Sequence, residues 1–173
     1  ELNYDISYVN SGVLNVIPAA LVIKVDDLGK HYGQKITKEK VAYTLTGFVN
    51  GEESLATVDV GDIDIGLGGE ANAPAGTYTI SASGFSISPS LIADNYRIVY
   101  VNGTLKVDPA EIYVYAIDQG KVYGTRLSKE GELGVTYKIK GFVNGDESVT
   151  TLTVGELNYS GGDDKYAKVG DYI

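Results

Sequence analysis

One short motif occurs twice in this chain and constrains everything between its two copies. The first copy, residues 3–16, reads NYDISYVNSGVLNV, and the second, residues 95–107, reads NYRIVYVNGTLKV. In both, apolar or tyrosine side chains alternate with the residues of the other face, a period of two that predicts strands with one face on a core. Asn102 and Gly103 tolerate the positive φ of a two-residue turn, so we expect a β-hairpin over residues 95–107. Ser11 predicts a similar hairpin with a longer loop in the first copy.

The rest of the chain repeats along with this motif. Pro18 and Pro109 lie 91 positions apart, and GFVNG occurs at residues 47–51 and, 94 positions later, at residues 141–145. Self-similarity at this period describes one small domain used twice, with the two GFVNG segments in equivalent places. The turn spacing therefore predicts an all-β chain of tandem small antiparallel domains, sandwich- or roll-like and arranged end to end. Only residues 38–40 and 128–133 favour a short turn of helix.

The offsets divide the chain into three segments. Residues 1–16 are predicted to be the closing hairpin of a preceding repeat, residues 18–107 a complete repeat, and residues 109–173 a second repeat without its closing hairpin. A rival register, with units at 1–94 and 95–173, uses each hairpin in the domain that follows it. Because an unpaired sheet edge recruits strands, the first register predicts head-to-tail strand exchange between molecules.

Composition excludes several classes of function. A net charge of −9 repels phosphate backbones and anionic lipid surfaces, so neither nucleic acid nor a membrane is an expected partner. The absence of cysteine and the single histidine exclude thiol chemistry, zinc–thiolate sites and multi-histidine metal sites. No apolar run of about 18 residues is present, which predicts no membrane-spanning helix. Glu1 opens directly on a strand pattern, so we expect no signal peptide within the chain.

Four ordered motifs together resemble a known domain family. They are Tyr32-Gly33 with Tyr123-Gly124, the two GFVNG turns, the GTYTI strand at residues 76–80, and the NY-x-I-x-YVNG-x-L-x-V segment at residues 95–107. This set resembles the MBG family, the mostly-β, glycine-rich domains of the Tyr-Gly-x type that occur in tandem in bacterial surface proteins such as adhesins and haemagglutinin-like exoproteins. The resemblance implies an extracellular location, on the bacterial cell surface or secreted, and supplies no catalytic residues.

These features together predict a non-enzymatic structural stalk, or spacer repeat, of an adhesin-like surface protein. A short linker across Pro109 supports this reading, because it is too short and stiff to act as a flexible coil. The alternative is a ligand-binding adhesin module that recognises a host glycan or protein. A third reading, an accessory β domain of a secreted glycosidase, requires catalytic sequence outside these residues. The expected partners are neighbouring repeats, a second copy of the chain through strand exchange, or such a glycan or protein ligand.

Three features suggest catalysis or cofactor binding but fit plainer roles better. His31 could act as a general base, yet Val122 stands at the matching position, which indicates a surface or packing residue. Paired carboxylates for glycoside hydrolysis follow an Asn-Gly turn in both copies and fit a solvated loop: Glu52-Glu53 and Asp146-Glu147. Residues 66–71 have the spacing of a dinucleotide-binding loop, but no helix can follow through Pro74. We therefore predict no catalytic residue, no cofactor and no cofactor site.

Acidic residues could also bind calcium, which stiffens many extracellular β domains. The candidates are Asp59, Asp62 and Asp64 in the first copy and Asp163-Asp164 in the second. Since Asp59 and Asp64 are matched by Thr153 and Asn158, and alternation exposes Asp62 and Asp64, no metal site is assigned. Most tyrosines fall on strand positions and predict packing roles. Tyr113 and Tyr115 are the best candidates for exposed aromatic contacts.

Overall fold

The structure is a computed structural model, and it describes residues 3–9, 11–127, 137–148, 152 and 161–172. Within these residues the chain is built almost entirely of short strands. The strands are β1 Ala19–Val25, β2 Leu28–His31, β3 Tyr43–Thr46, β4 Thr57–Asp59, β5 Asp62–Asp64, β6 Gly76–Ser83, β7 Ser86–Ser88, β8 Tyr96–Val101, β9 Gly103–Asp108, β10 Tyr113–Ala116 and β11 Tyr137–Lys140. The all-β prediction is confirmed.

Across the described residues, helical structure is limited to single turns. One α-helical turn, α1, covers Ser90–Ala93, and four 3-10 turns cover Lys38–Lys40, Glu52–Ser54, Gly66–Gly69 and Asp146–Ser148. The helical turn predicted at residues 38–40 is therefore present. The second predicted turn, at residues 128–133, lies outside the described residues.

The strands in the described part of the chain form four small sheets. Their orders are β3-β1-β8, β2-β9-β6-β5, β4-β7 and β10-β11. The pairs β1–β3, β4–β7, β5–β6 and β10–β11 are antiparallel, as predicted, whereas β1 and β8 run parallel. A parallel pair needs a long connection, and residues 26–95 supply it between β1 and β8.

The chain divides into two compact units. Unit 1 comprises Glu1–Leu28, Thr37–Gly68 and Thr77–Leu105, and unit 2 comprises Gly29–Ile36, Gly69–Gly76 and Lys106–Ile173. Unit 2 thus contains two short segments from the first copy of the repeat, one of which includes most of β2, in addition to the second copy.

The core of unit 1 is centred on β1. Leu21, Ile23 and Val25 alternate along this strand and have 0%, 0% and 1% of their surface exposed. Ile80 of β6 and Leu105 of β9 are also fully buried. Alternation therefore points the odd-numbered side chains of β1 inward, and burial of these aliphatic side chains drives the folding of unit 1.

The hairpin predicted at residues 95–107 is wrong. Its two strands belong to different sheets, since β8 pairs with β1 while β9 lies between β2 and β6. Gly103 is needed here for close approach, because a Cβ on it would lie 2.5 Å from the carbonyl oxygen of Asp26. Thr104 then fixes the crossing by donating from its backbone N and its Oγ1 to Asp27, at 2.7 and 2.8 Å. The Asn-Gly pair therefore lies where the chain passes from the sheet of β8 to the sheet of β9.

The hairpin predicted at residues 3–16 is also not formed. No strand occurs over residues 3–9 and 11–16, and the apolar side chains of this segment are exposed. In the second copy of the motif, β1, β2 and β6 hold the two strands, and all three precede it in sequence. The segment thus has the side-chain pattern of strands, and none of the strands that the structure describes pairs with it.

Candidate binding site at the free edge of β10

Strand β10 in unit 2 is the counterpart of β1 in unit 1, but its surroundings differ. Both strands pair antiparallel with the strand before a GFVNG turn, β1 with β3 and β10 with β11. On its other edge β1 also pairs with β8, whereas in the described residues β10 has β11 as its sole strand partner. Ile112 and Val114 are consequently 39% and 41% exposed, although Leu21 and Ile23 at the matching positions are buried.

A pocket of about 200 Å³ opens beside this edge, entirely within unit 2. Its lining is apolar except for one carboxylate and one phenol hydroxyl. The lining residues are Tyr32, Ala75, Pro109, Ala110, Ile112, Gly141, Phe142, Val143 and Asp146. An apolar concavity with few polar groups is the usual form of a binding site.

In unit 1, the residues at the matching positions of the repeat pack around the side chain of Tyr96. Its ring packs edge-to-face on Phe48, with centroids 5.3 Å apart. Its hydroxyl accepts from the backbone N of Val49 at 2.9 Å and donates to Glu52 Oε2 at 2.7 Å. Burial, followed by hydrogen bonding to Glu52, raises the pKa of Tyr96, while the bond from Val49 opposes the shift.

The pocket therefore occupies the place that Tyr96 fills in unit 1. Phe142, Val143 and Asp146 lie 94 positions after Phe48, Val49 and Glu52. Ile112 and Ala110 lie 91 positions after Leu21 and Ala19, which pack with Tyr96 in the unit 1 core. The arrangement can accept an aromatic ring that carries a hydroxyl group, with Asp146 as the acceptor for that hydroxyl.

The turn that shapes the pocket has the same geometry in both copies. Gly47 and Gly141 have φ angles of +116° and +109°, and a Cβ on either would lie 2.2 Å from a carbonyl oxygen, that of Ala20 or of Glu111. The following asparagine takes φ of 56° in one copy and 55° in the other. The GFVNG segments thus occupy equivalent places in their surroundings, as the sequence predicts.

A lysine clamp holds the neighbouring loops in both copies. Lys30 is 4% exposed, and its Nζ donates to the carbonyl oxygens of Gln34, at 3.0 Å, and Glu70. Lys121 donates in the same way to Thr125, at 3.3 Å, and Asp164. Burial lowers the pKa of Lys30, and the Glu70 carboxylate partly offsets this shift. Both lysines satisfy backbone carbonyls, which is a structural role.

The tyrosines predicted to be exposed lie on the same free edge. Tyr113 and Tyr115 are 50% and 49% exposed, which confirms that prediction, and their ring centroids are 6.3 Å apart. The Tyr113 hydroxyl donates to the carboxylate of Glu111, and this bond raises the pKa of Tyr113. Lys140 Nζ lies 5.6 Å from the Tyr115 ring centroid. Both faces of β10 therefore present apolar surface.

The candidate catalytic residues have separate structural settings. His31 is exposed at the end of β2, with Nδ1 3.3 Å from the carbonyl oxygen of Pro109. Glu52 is half-buried and accepts a hydrogen bond from the Tyr96 hydroxyl at 2.7 Å, so it helps to position that ring. Residues 66–69 form a 3-10 turn in which a Cβ on Gly68 would lie 2.6 Å from the Tyr78 ring. These contacts hold turns and strands in place.

The acidic residues considered for calcium make individual contacts. Asp62 pairs with Lys38 at 2.9 Å, and Asp59 accepts from Ser86 at 3.4 Å. Asp64 and Asp164 each accept from the backbone N two residues later, at 2.7 Å in both cases. Across the described residues no three His, Cys, Asp or Glu side chains approach closely enough to hold a metal ion.

Sequence reasoning missed the pocket residues Phe142, Val143 and Asp146. The two identical GFVNG segments could have pointed to these residues. Their identity predicted a turn, however, and gave no indication that a tyrosine ring packs on it. The position of Tyr96 was identified as a packing position, without the partner that receives it.

The recurring residues of this mostly-β chain hold loops, turns and sheet edges, which defines a small domain of the mostly-β class. Residues 21–106 match the family model of the MBG domain, YGX type, and through them the chain belongs to the MBG domain family. The family predicted from the sequence motifs is confirmed. No curated protein and no solved structure matches the chain. No helix in the part of the chain that the structure describes is long and apolar enough to cross a membrane.

Proposed function

We propose that this chain is a non-enzymatic spacer, one complete MBG repeat and the greater part of a second, in a stalk that displays another domain of a bacterial surface protein. The observation that carries the proposal is that the residues shared by the two copies have structural roles. Lys30 and Lys121 make the same clamp, and Gly47 and Gly141 make the same close contact. The side chain best suited to acid–base chemistry, His31, does not recur, because Val122 stands at the matching position of the second copy.

Family membership and charge support an extracellular setting. MBG domains of this type occur in surface proteins, and the net charge of −9 favours solubility and repels other polyanions. A spacer needs a folded, soluble surface, and specific chemistry is unnecessary. We therefore infer that residues 109–173 are a second copy of the same domain, in tandem with the copy that matches the family.

A binding screen tests the spacer proposal. The whole chain is immobilised and probed with a glycan array and a panel of extracellular matrix proteins. A spacer gives no saturable binding above that of a scrambled-surface control. Saturable binding of one ligand that is lost on substitution of surface residues overturns the spacer role.

The second candidate is an adhesin module, and the exposed tyrosine pair favours it. Tyr113 and Tyr115 present aromatic rings at low entropic cost, next to an apolar pocket. If the chain binds a glycan or protein through this surface, Tyr113→Ala and Tyr115→Ala each abolish binding in the same screen. Tyr166→Ala is the matched control, because Tyr166 is 70% exposed and lines no part of the pocket.

A further inference from the structure

We propose that the free edge of β10 and its pocket are an acceptor site for residues 3–9 of a second copy of this chain. The incoming segment would add to β10 as a parallel strand, and Tyr4 would enter the pocket. Strand addition of this kind depends on the geometry of the chain and its two copies of one motif, and it is independent of the spacer role.

Unit 1 supplies the template for this pairing. β8 lies parallel to β1 with Ala19 opposite Tyr96, Leu21 opposite Ile98 and Ile23 opposite Tyr100. Residues 3–9 repeat the β8 sequence, since NYDISYV matches NYRIVYV. Transferring the register by the sequence offsets gives the following pairs: Ala110 with Tyr4, Ile112 with Ile6, and Val114 with Tyr8.

The pocket matches Tyr4 in both shape and chemistry. Tyr96 fills the equivalent space in unit 1, where Glu52 accepts a hydrogen bond from its hydroxyl at 2.7 Å. Asp146 stands at the position of Glu52 and lines the pocket. The Tyr4 hydroxyl would donate to Asp146 and accept from the backbone N of Val143, the counterpart of Val49. An aromatic anchor in an apolar pocket is the usual centre of a binding interface.

The incoming segment is free to make these contacts. Tyr4, Ile6 and Tyr8 are 84%, 67% and 88% exposed, and no strand forms over residues 3–9. A segment with strand alternation and exposed apolar side chains gains backbone hydrogen bonds and apolar burial together when it adds to a sheet edge. Residues 3–9 thus supply the donor, and unit 2 supplies the acceptor.

One pair of charges opposes the association. The register places Asp5 of the incoming strand beside Glu111, where unit 1 has Arg97 beside Ala20. Two molecules of net charge −9 also repel each other at long range. Association is therefore expected to strengthen with ionic strength, because salt screens both repulsions. Asp5→Arg replaces the repulsion by attraction to Glu111 and is expected to tighten binding further.

Sedimentation velocity on the intact chain over a range of concentrations is the first test. Wild type is expected to associate with concentration, and Tyr4→Ala to weaken the association at least about tenfold through loss of the aromatic anchor. Tyr166→Ala is the matched control, and we expect it to behave as wild type. The proposal is overturned if Tyr4→Ala associates like wild type. It is also overturned if both wild type and Asp5→Arg stay monomeric in about 1 M salt, where the Debye length is about 3 Å.

Cysteine pairing tests the register, because the native chain has no cysteine to interfere. Ile6→Cys and Ile112→Cys chains are mixed in the presence of oxidised glutathione, which takes up the electrons of the two thiols. The expected product is a disulfide-linked heterodimer in excess over either homodimer. Ser7→Cys mixed with Ile112→Cys controls for register and is expected to link more slowly. No excess of heterodimer, or closure of an Ile6→Cys/Ile112→Cys double variant within one chain, refutes the assignment of a second copy as the occupant.

Discussion

A single missing side chain at Gly47 allows the turn to pack against β1. Its φ of +116° lies in the region that disfavours any Cβ, and the Ala20 carbonyl oxygen lies 2.2 Å from the Cβ position. Gly47→Ala is therefore expected to destabilise unit 1 by about 1–3 kcal/mol or more, the range for a strained backbone residue. Gly51→Ala is the control, since Gly51 has φ of +73° with open space around it and only the conformational cost applies. Equal losses in urea unfolding for the two variants would contradict this account.

The matching positions Leu21 and Ile112 are expected to respond differently to truncation. Leu21 is fully buried, so Leu21→Ala is expected to cost about 2–5 kcal/mol of unfolding free energy. Ile112 is 39% exposed, and Ile112→Ala is expected to cost about 1 kcal/mol or less in the dilute chain. Thermal unfolding of both variants below the association range measures the difference. Similar costs at the two sites would show that the edge of β10 is covered within the monomer.

Tyr96 predicts a loss of stability at alkaline pH. Burial raises its folded-state pKa above the value of about 10 in an unfolded chain. The stabilisation from neutral Tyr96 is therefore fully present below pH 10 and is lost as the pH rises through the folded-state pKa. Urea unfolding between neutral and strongly alkaline pH is expected to show this fall for wild type. Tyr96→Phe should start from a lower stability and fall less steeply, and identical slopes would refute the assignment.

At the level of single residues, the sequence alone indicates which side chains of β1 are buried. Alternation along β1 identifies the buried face correctly, because burial of every second side chain is a local property of a strand. The partner of Tyr96 could not be identified in this way. Phe48 and Glu52 approach it from more than forty positions away, and only the tertiary fold brings the three together.

At the level of elements, the strands of residues 95–107 were identified but their pairing was not. An Asn-Gly pair between alternating segments favours a hairpin on local grounds. The structure uses Gly103 instead to let the chain pass close to the Asp26 carbonyl as it leaves one sheet for another. The pairing of a strand depends on which sheet edges the rest of the fold leaves open, and the local sequence does not contain this information.

The crossing between sheets predicts an asymmetric response to substitution. In a tight hairpin turn both central residues need positive φ, so alanine at either position is costly. Here neither Asn102 nor Gly103 has a positive φ. Asn102→Ala is expected to stay within about 0.5 kcal/mol of wild type. Gly103→Ala is expected to lower the unfolding midpoint clearly, because its Cβ would lie 2.5 Å from a backbone carbonyl oxygen. Equal losses in chemical unfolding would favour the hairpin.

At the level of the whole chain, removal of residues 1–16 is expected to leave unit 1 folded. The apolar side chains of this segment are exposed, and the core around β1 is built from later residues. We expect the deletion to leave the unfolding midpoint of unit 1 unchanged while it abolishes self-association. Loss of unit 1 on deletion would instead support the rival register, in which the segment belongs to the domain that follows it.

Because the donor residues 3–9 and the acceptor edge of β10 are two different surfaces, any assembly built on this pairing has a polarity. Each molecule would offer a donor segment and an acceptor edge on different units, so growth adds subunits in one orientation and the two ends of an oligomer are distinct. A chain without residues 1–16 can still accept a strand but has none to give, and one with Asp146 and Phe142 replaced can give but not accept. A small amount of either variant stops the growth of an oligomer, and the two variants do so at opposite ends. The length of the oligomer is then set by the ratio of intact molecules to variant molecules.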